Sequence, residues 1–213
     1  MLLLIVRPMP PMRVYRGIQM TEQLIVYGFE TSNNMKVRIA LKHKGIPFKF
    51  ETIDPADRSE VERLSGQPLT PVLVHGERVL FDSAAILRYL DANFPDTPRL
   101  FSGTRERIWE IEEWEGFARH ELHAAMKLML PLRLAGQEDA QVAAHAQELF
   151  DDATAKLEER LAEHEWLVGD EITAADITAA PVVYRTVKAG FALLPEGREH
   201  TRAWMERVMA FDV

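Results

Sequence analysis

Residues 69–90, LTPVLVHGERVLFDSAAILRYL, constrain the fold of this chain more than any other stretch. Val72, Leu73 and Val74 form a short apolar strand, Gly76 marks a two-residue turn, and Val79, Leu80 and Phe81 form a second strand. Asp82 and Ser83 then stand where a helix carrying Ala84, Ala85, Ile86 and Leu87 must begin, so two hairpin strands feed a helix. Pro71 cannot donate to a sheet ladder, which puts it at an edge, a strand start or a specialised turn. The Thr70-Pro71 bond is also a place where a cis peptide is cheap, and a cis bond would turn polar backbone groups of Thr70 outward. One of Asp82 and Ser83 caps the helix, whose free N–H groups favour an anion, and capping leaves the other polar group unexplained.

The remainder of the chain is organised around that unit. Leu24–Tyr27 reads as a central strand ended by Gly28. The polar loop Phe29-Glu30-Thr31-Ser32-Asn33-Asn34 follows, and from Met35 the pattern turns helical, with Val37, Ile39, Ala40 and Leu41 inward and Lys36, Arg38 and Lys42 outward up to Gly45. Phe48, Phe50 and Ile53 mark a strand which, joined through that helix, runs parallel to the first. Residues 55–67 read as a short irregular helix ending at Gly66. A four-stranded βαβ plus ββα unit therefore spans 22–95. Pro95 and Pro98 mark a linker over 96–103, beyond which every pattern is helical.

In the helical part a long helix is expected over 104–130, bending before Pro131, and a second over 138–163. Trp166 pins the turn at 165–170. Thr173 and Asp176 have capping-box spacing ahead of a buried helix over 175–188, and an amphipathic helix over 200–209 closes the chain. Residues 1–21 hold only a five-residue apolar run and three prolines, which predicts a flexible extension and no secretory core.

Composition narrows the chemistry. With 213 residues and 47% hydrophobic content the chain can bury a real core. A formal net charge of −8 without a basic stripe argues against nucleic acid, and no apolar run reaches membrane length. There is no cysteine, so thiol chemistry must use a sulfur that the chain does not carry. His120 and His123 lack a third ligand at useful spacing, and no metal is expected. Neither a GxSxG elbow nor a glycine-rich phosphate loop is present. What remains is the loop at 29–34, where a hydroxyl of Thr31 or Ser32, or the amide of Asn33, stands near a helix N-terminus and could lower the pKa of an anion-forming ligand.

YGFETSNNMKVRIALKHKGIPF, LTPVLVHGERVLFDSAAILRYL and WLVGDEITAADITAAPV, in this order, resemble the glutathione transferase superfamily of cytosolic, bacterial-like type over nearly all of 22–213. The resemblance implies a thioredoxin-like α/β N-terminal domain at 22–95 and an all-α helical bundle at 104–213. It also implies a cytoplasmic detoxification enzyme that works as a homodimer. Glutathione would be the co-substrate, attacking an apolar electrophile as its thiolate; glutathione-dependent peroxide reduction and a noncatalytic binding or scaffold role are the alternatives. Thr70, before a cis Pro71, would pair with the cysteinyl part of glutathione, while Asp82 and Ser83, where the family has Glu-Ser, would hold the γ-glutamyl end.

By the same resemblance Ser32, Thr31 or Asn33 would activate the sulfur, and Phe29, Glu30, Trp109, Met126 and Tyr184 would line the electrophile pocket. The family's Gly-Lys ahead of the proline segment is Pro68-Leu69 here, so Lys36 or Lys42 would stand in toward glutathione's terminal carboxylate. Thr173 and Asp176 match the family's capping box, a folding feature.

Overall fold

The computed structural model describes residues 23–212; the extension expected over 1–21 lies outside them. Strand β1 (Leu24–Gly28) leads into helix α1 (Ser32–His43), strand β2 (Phe48–Thr52) and the short helix α2 (Ser59–Ser65). Strands β3 (Val72–His75) and β4 (Arg78–Phe81) then form a hairpin, and helix α3 (Ser83–Asn93) follows. The strand order is β2-β1-β3-β4. β2 runs parallel to β1, as the crossover through α1 requires, and β3 and β4 are antiparallel to their neighbours. Val26 and Leu73, register partners on one face of this sheet, are buried beneath Val37, Leu41, Ile86 and Leu90 of the two helices, while Val72 is buried on the other face.

The helical part consists of α4 (Arg105–Phe117), a π-helical turn (Ala118–Leu122), α5 (Ala124–Leu134), α6 (Ala140–Glu163), α7 (Ala174–Lys188), α8 (Glu199–Met209) and a closing 3-10 turn (Ala210–Asp212). The single helix expected over 104–130 is thus two helices separated by a widened turn. Pro131, before which a bend is expected, lies inside α5, and Ala135 N donates to its carbonyl at 3.0 Å. A proline costs one helical hydrogen bond, and here the helix runs on for three more residues despite it.

The start of α1 also differs from the sequence expectation. Thr31 is extended (φ −133°, ψ 160°) and its hydroxyl accepts from Asn34 N, so the helix begins at Ser32 and the loop shrinks to Phe29–Thr31. Lys36, expected outside, is only 3% exposed. α1 is covered by α3 on one side and by α7 on the other, so it has two inward faces, and Lys36 meets Glu115 of α4 at 3.7 Å.

The segment 96–103 is tied down at several points. Asp91 accepts from Leu100 N at 2.8 Å and from Arg99 Nε at 2.9 Å, while the buried Lys44 ammonium donates to Asp91 at 3.0 Å and to Pro98 O at 2.8 Å. Leu100 O in turn accepts from Ala174 N, the first residue of α7. The capping box at Thr173 and Asp176 forms, and α7 is the buried centre of the helical part. Trp166 is half-buried under the Arg207 guanidinium, 4.8 Å from the ring centre.

Candidate active site

The end of the sheet where β1 meets α1 collects the residues singled out in the sequence. Thr31 caps α1, and the Asn34 side-chain amide donates to Thr31 Oγ1 at 2.7 Å and to Thr70 Oγ1 at 3.0 Å. Asn34 therefore stitches the first loop to the residue ahead of β3. Gly28 is needed for this: a Cβ there would fall 1.7 Å from Asn34 Oδ1. Asn34 was not among the sequence candidates. Its signal was indirect, an amide three residues after a capping threonine, and only the fold shows that Thr70 is the second partner.

The Thr70-Pro71 peptide bond is cis. Asp82 has φ 69°, rare for a residue with a side chain, and its Oδ1 accepts from Ala84 N at 2.9 Å and Ala85 N at 3.0 Å. Asp82 is thus the cap of α3, and Ser83 is the polar group that capping does not require. The buried Ser83 hydroxyl donates to Asn33 Oδ1 at 3.3 Å, which joins α3 to the exposed Asn33 on α1. Ser32, at the first position of α1, is mostly buried, and its hydroxyl has no hydrogen-bond partner among the described residues.

Between these elements and the helical part lies a cleft of about 330 Å³. Asn33, Lys36, Asp82 and Ser83 form one side of it, while Arg119, His120, His123 and Lys127 form the other, with Ala84, Ala118 and Val182 as apolar wall. Behind Lys36, Glu115 is fully buried and paired with Arg88 at 2.9 Å, and it accepts from the Thr178 hydroxyl at 3.2 Å. Burial pulls the Lys36 ammonium down to about 8, with Glu115 opposing the shift. His123 is held below the ordinary histidine value by burial and by the neighbouring Lys127.

The five residues that the resemblance assigned to the electrophile pocket lie apart from this cleft's lining. Phe29 lies beneath the Arg58 guanidinium at 4.4 Å, and Glu30 pairs with Arg38 at 3.3 Å. Trp109 is 55% exposed on α4, Met126 is buried, and the Tyr184 hydroxyl accepts from Lys188 at 2.6 Å. Lys42 is exposed, on the outward side of α1. Among the described residues no group of His, Asp and Glu is arranged to hold a metal, and no helix is long and apolar enough to cross a membrane.

Comparison with known proteins accounts for this arrangement. Residues 26–98 match the family model described as glutathione S-transferase, N-terminal domain, and residues 120–212 match that of the C-terminal domain. Glutathione S-transferase F10 of Arabidopsis thaliana is 27% identical over 197 residues, covering 87% of this chain and 91% of the relative. Glutathione S-transferase GST-4.5 of Xanthomonas campestris is 29% identical over 181 residues, covering 81% and 86%. Among solved structures, a glutathione S-transferase from Rhodospirillum rubrum superposes with a TM-score of 0.77 at 22% identity, over 87% of each chain. A glutathione S-transferase III in apo form gives 0.70 at 26% identity, over 88% of this chain and 92% of that one. With both family models matched in order on a thioredoxin-like α/β half followed by an all-α bundle, the chain belongs to the glutathione S-transferase superfamily and is an enzyme of that family.

Proposed function

We propose that this protein binds glutathione along the β1–α1 and α3 edge and ionises its thiol through the Ser32 hydroxyl, for attack on an electrophile whose reacting part is apolar. The observation that carries this reading is the division of labour at the start of α1. Thr31 Oγ1 accepts two hydrogen bonds as a cap and Asn33 Oδ1 accepts from Ser83, so both keep a donor but are held by other roles, whereas the Ser32 hydroxyl is wholly uncommitted at a helix N-terminus. A free thiol has a pKa of about 8.5 and must fall by roughly two units to be mostly ionised at neutral pH. One hydrogen bond to the thiolate, in the positive field of the helix end, is of the size required, since a unit corresponds to about 1.4 kcal/mol. The thiolate then attacks the electrophile directly, forming a carbon–sulfur bond as the leaving group departs or the double bond takes up the electrons.

In the same reading the Thr70 backbone receives the cysteinyl part, and Ser83 with the second oxygen of Asp82 receives the γ-glutamyl end. Lys36, buried beside Ser83, supplies positive charge at that end of the tripeptide. Phe29, Glu30, Trp109, Met126 and Tyr184 stay assigned to the wider electrophile surface and to repositioning on binding. Two copies form the working unit, with the exposed Leu69 and Phe81 among the apolar side chains available to pair.

The test is thiolate absorbance near 240 nm on adding glutathione, across a pH series. Ser32→Ala should raise the apparent thiol pKa toward the free value of about 8.5 and, through the lost thiolate fraction, lower conjugation at pH 7 by roughly twentyfold. Thr31→Ala should act mainly through loss of the α1 cap. An unchanged thiol pKa in Ser32→Ala would remove Ser32 from the reaction.

A further inference from the structure

The face of the cleft opposite Ser83 is cationic, in a protein whose net charge is −8. Arg119 and His120 come from the π-helical turn, and His123 and Lys127 from the residues just after it, so one local widening of the helix brings all four to the cleft. Such turns recur at functional sites because they re-aim side chains without ending the helix.

The acidic groups nearby are already engaged. Glu115 is shared by Lys36, Arg88 and Thr178, Asp82 caps α3, and Glu121 of the same turn pairs with Lys156 outside the cleft. Arg119 has no ion pair among the described residues. Lys127 spends one N–H on Arg119 O at 2.8 Å and keeps two. His123 also lines the cleft, with its Nδ1 buried and without a partner among the described residues. The wall between the two sides is apolar, formed by Ala84, Ala118 and Val182.

We propose that this face is an anion subsite for the second substrate: the electrophile carries a carboxylate or comparable anionic group, received by Arg119, His123 and Lys127, while its apolar body lies against Ala118 and Val182. The proposal rests on the glutathione-binding reading above and adds the substrate class. A guanidinium and an ammonium flanking a neutral imidazole donor suit an oxyanion, which accepts from all three. The charge also draws anionic partners toward an otherwise acidic molecule.

Glutathione itself carries carboxylates, so the test occupies its place first. Protein saturated with S-methylglutathione is titrated calorimetrically with 3-nitrobenzoate and, separately, with its neutral methyl ester. The acid should bind roughly tenfold tighter than the ester, a difference of about 1.4 kcal/mol. The preference should vanish in the double variant Arg119→Ala, Lys127→Ala and persist in Lys156→Ala, which removes a cation outside the cleft. Equal binding of acid and ester, or a preference that survives in the double variant, overturns the proposal.

A preference seen without S-methylglutathione and abolished with it would assign the cations to glutathione's own carboxylate, which also overturns it. The thiolate absorbance separates the two readings. A thiolate that forms while the acid is not preferred removes the anion subsite alone, and an acid preference without a thiolate removes Ser32 activation alone.

Discussion

Two buried polar clusters in this molecule are completed in opposite ways. At the start of α7, Asp176 accepts from Leu167 N and Trp204 Nε1 on one oxygen, each at 2.9 Å. Its other oxygen accepts from Thr173 N at 2.9 Å and from the Thr173 hydroxyl at 3.1 Å, so every partner lies within the helical part. Around the start of α1 and the neighbouring cleft, Asn34 Oδ1 and His123 Nδ1 are buried without partners among the described residues, the Ser32 hydroxyl is uncommitted, and Lys36 is held in the interior by one carboxylate at 3.7 Å. The first network is closed on itself, while the second leaves polar groups unpaired beside the site proposed for glutathione.

The largest effect should come from breaking the closed network. Asp176→Ala orphans the Leu167 and Thr173 amides and the Trp204 indole at once, and should cost about 3–4 kcal/mol in urea unfolding. If the loss were below about 1 kcal/mol, the claim that this cluster holds the helical part together would fail.

The open cluster should respond with the opposite sign. Lys36→Met removes a buried charge while Glu115 keeps Arg88 and Thr178, so the variant should be as stable as the parent at pH 7 or more so, by up to about 2 kcal/mol. Its glutathione affinity should fall. The pH dependence follows from linkage. The Lys36 pKa is lowered to about 8, so from there to its unfolded value of 10.5 the unfolded chain binds more protons than the folded one. Parent stability should therefore rise relative to the variant across that interval, closing the gap. Urea midpoints of both proteins measured from pH 7 to 10 check this, and a gap that widened with pH would contradict the assignment.

The smallest effect concerns the stitch between the two loops. Thr70→Val removes one acceptor from the Asn34 amide and leaves Thr31, which should cost about 1 kcal/mol in unfolding. A cost near that of Asp176→Ala would mean that the Asn34 cluster is as closed as the other and would erase the contrast.

Local chemistry made much of this legible in advance. The hairpin into α3, the parallel β2, the αL stop at Gly66 and the Thr173–Asp176 box are set by neighbours a few residues apart, and each formed where the pattern placed it. Sequence reading was weaker where burial depends on what arrives from elsewhere. Lys36 looked like the outward face of an amphipathic helix because α1 has one obvious apolar stripe; α7 covers its other side, and Glu115 of α4 meets Lys36 there. The break at Ala118–Leu122 left no proline or glycine pair to announce it, while Pro131, which should have announced a bend, is carried inside α5.

By itself, the order of strand, helix and cap signals determined the fold class, the glutathione-family resemblance and the presence of one polar group beyond the cap at Asp82-Ser83, because these depend on short-range backbone chemistry. Tertiary structure alone decided that Asn34 links Thr31 to Thr70, that Lys36 is buried against Glu115, and that Arg119, His123 and Lys127 face the cleft. Those outcomes join residues as much as 79 positions apart, and a side chain's burial and charge partners are set by the surface packed over it, which no local pattern encodes.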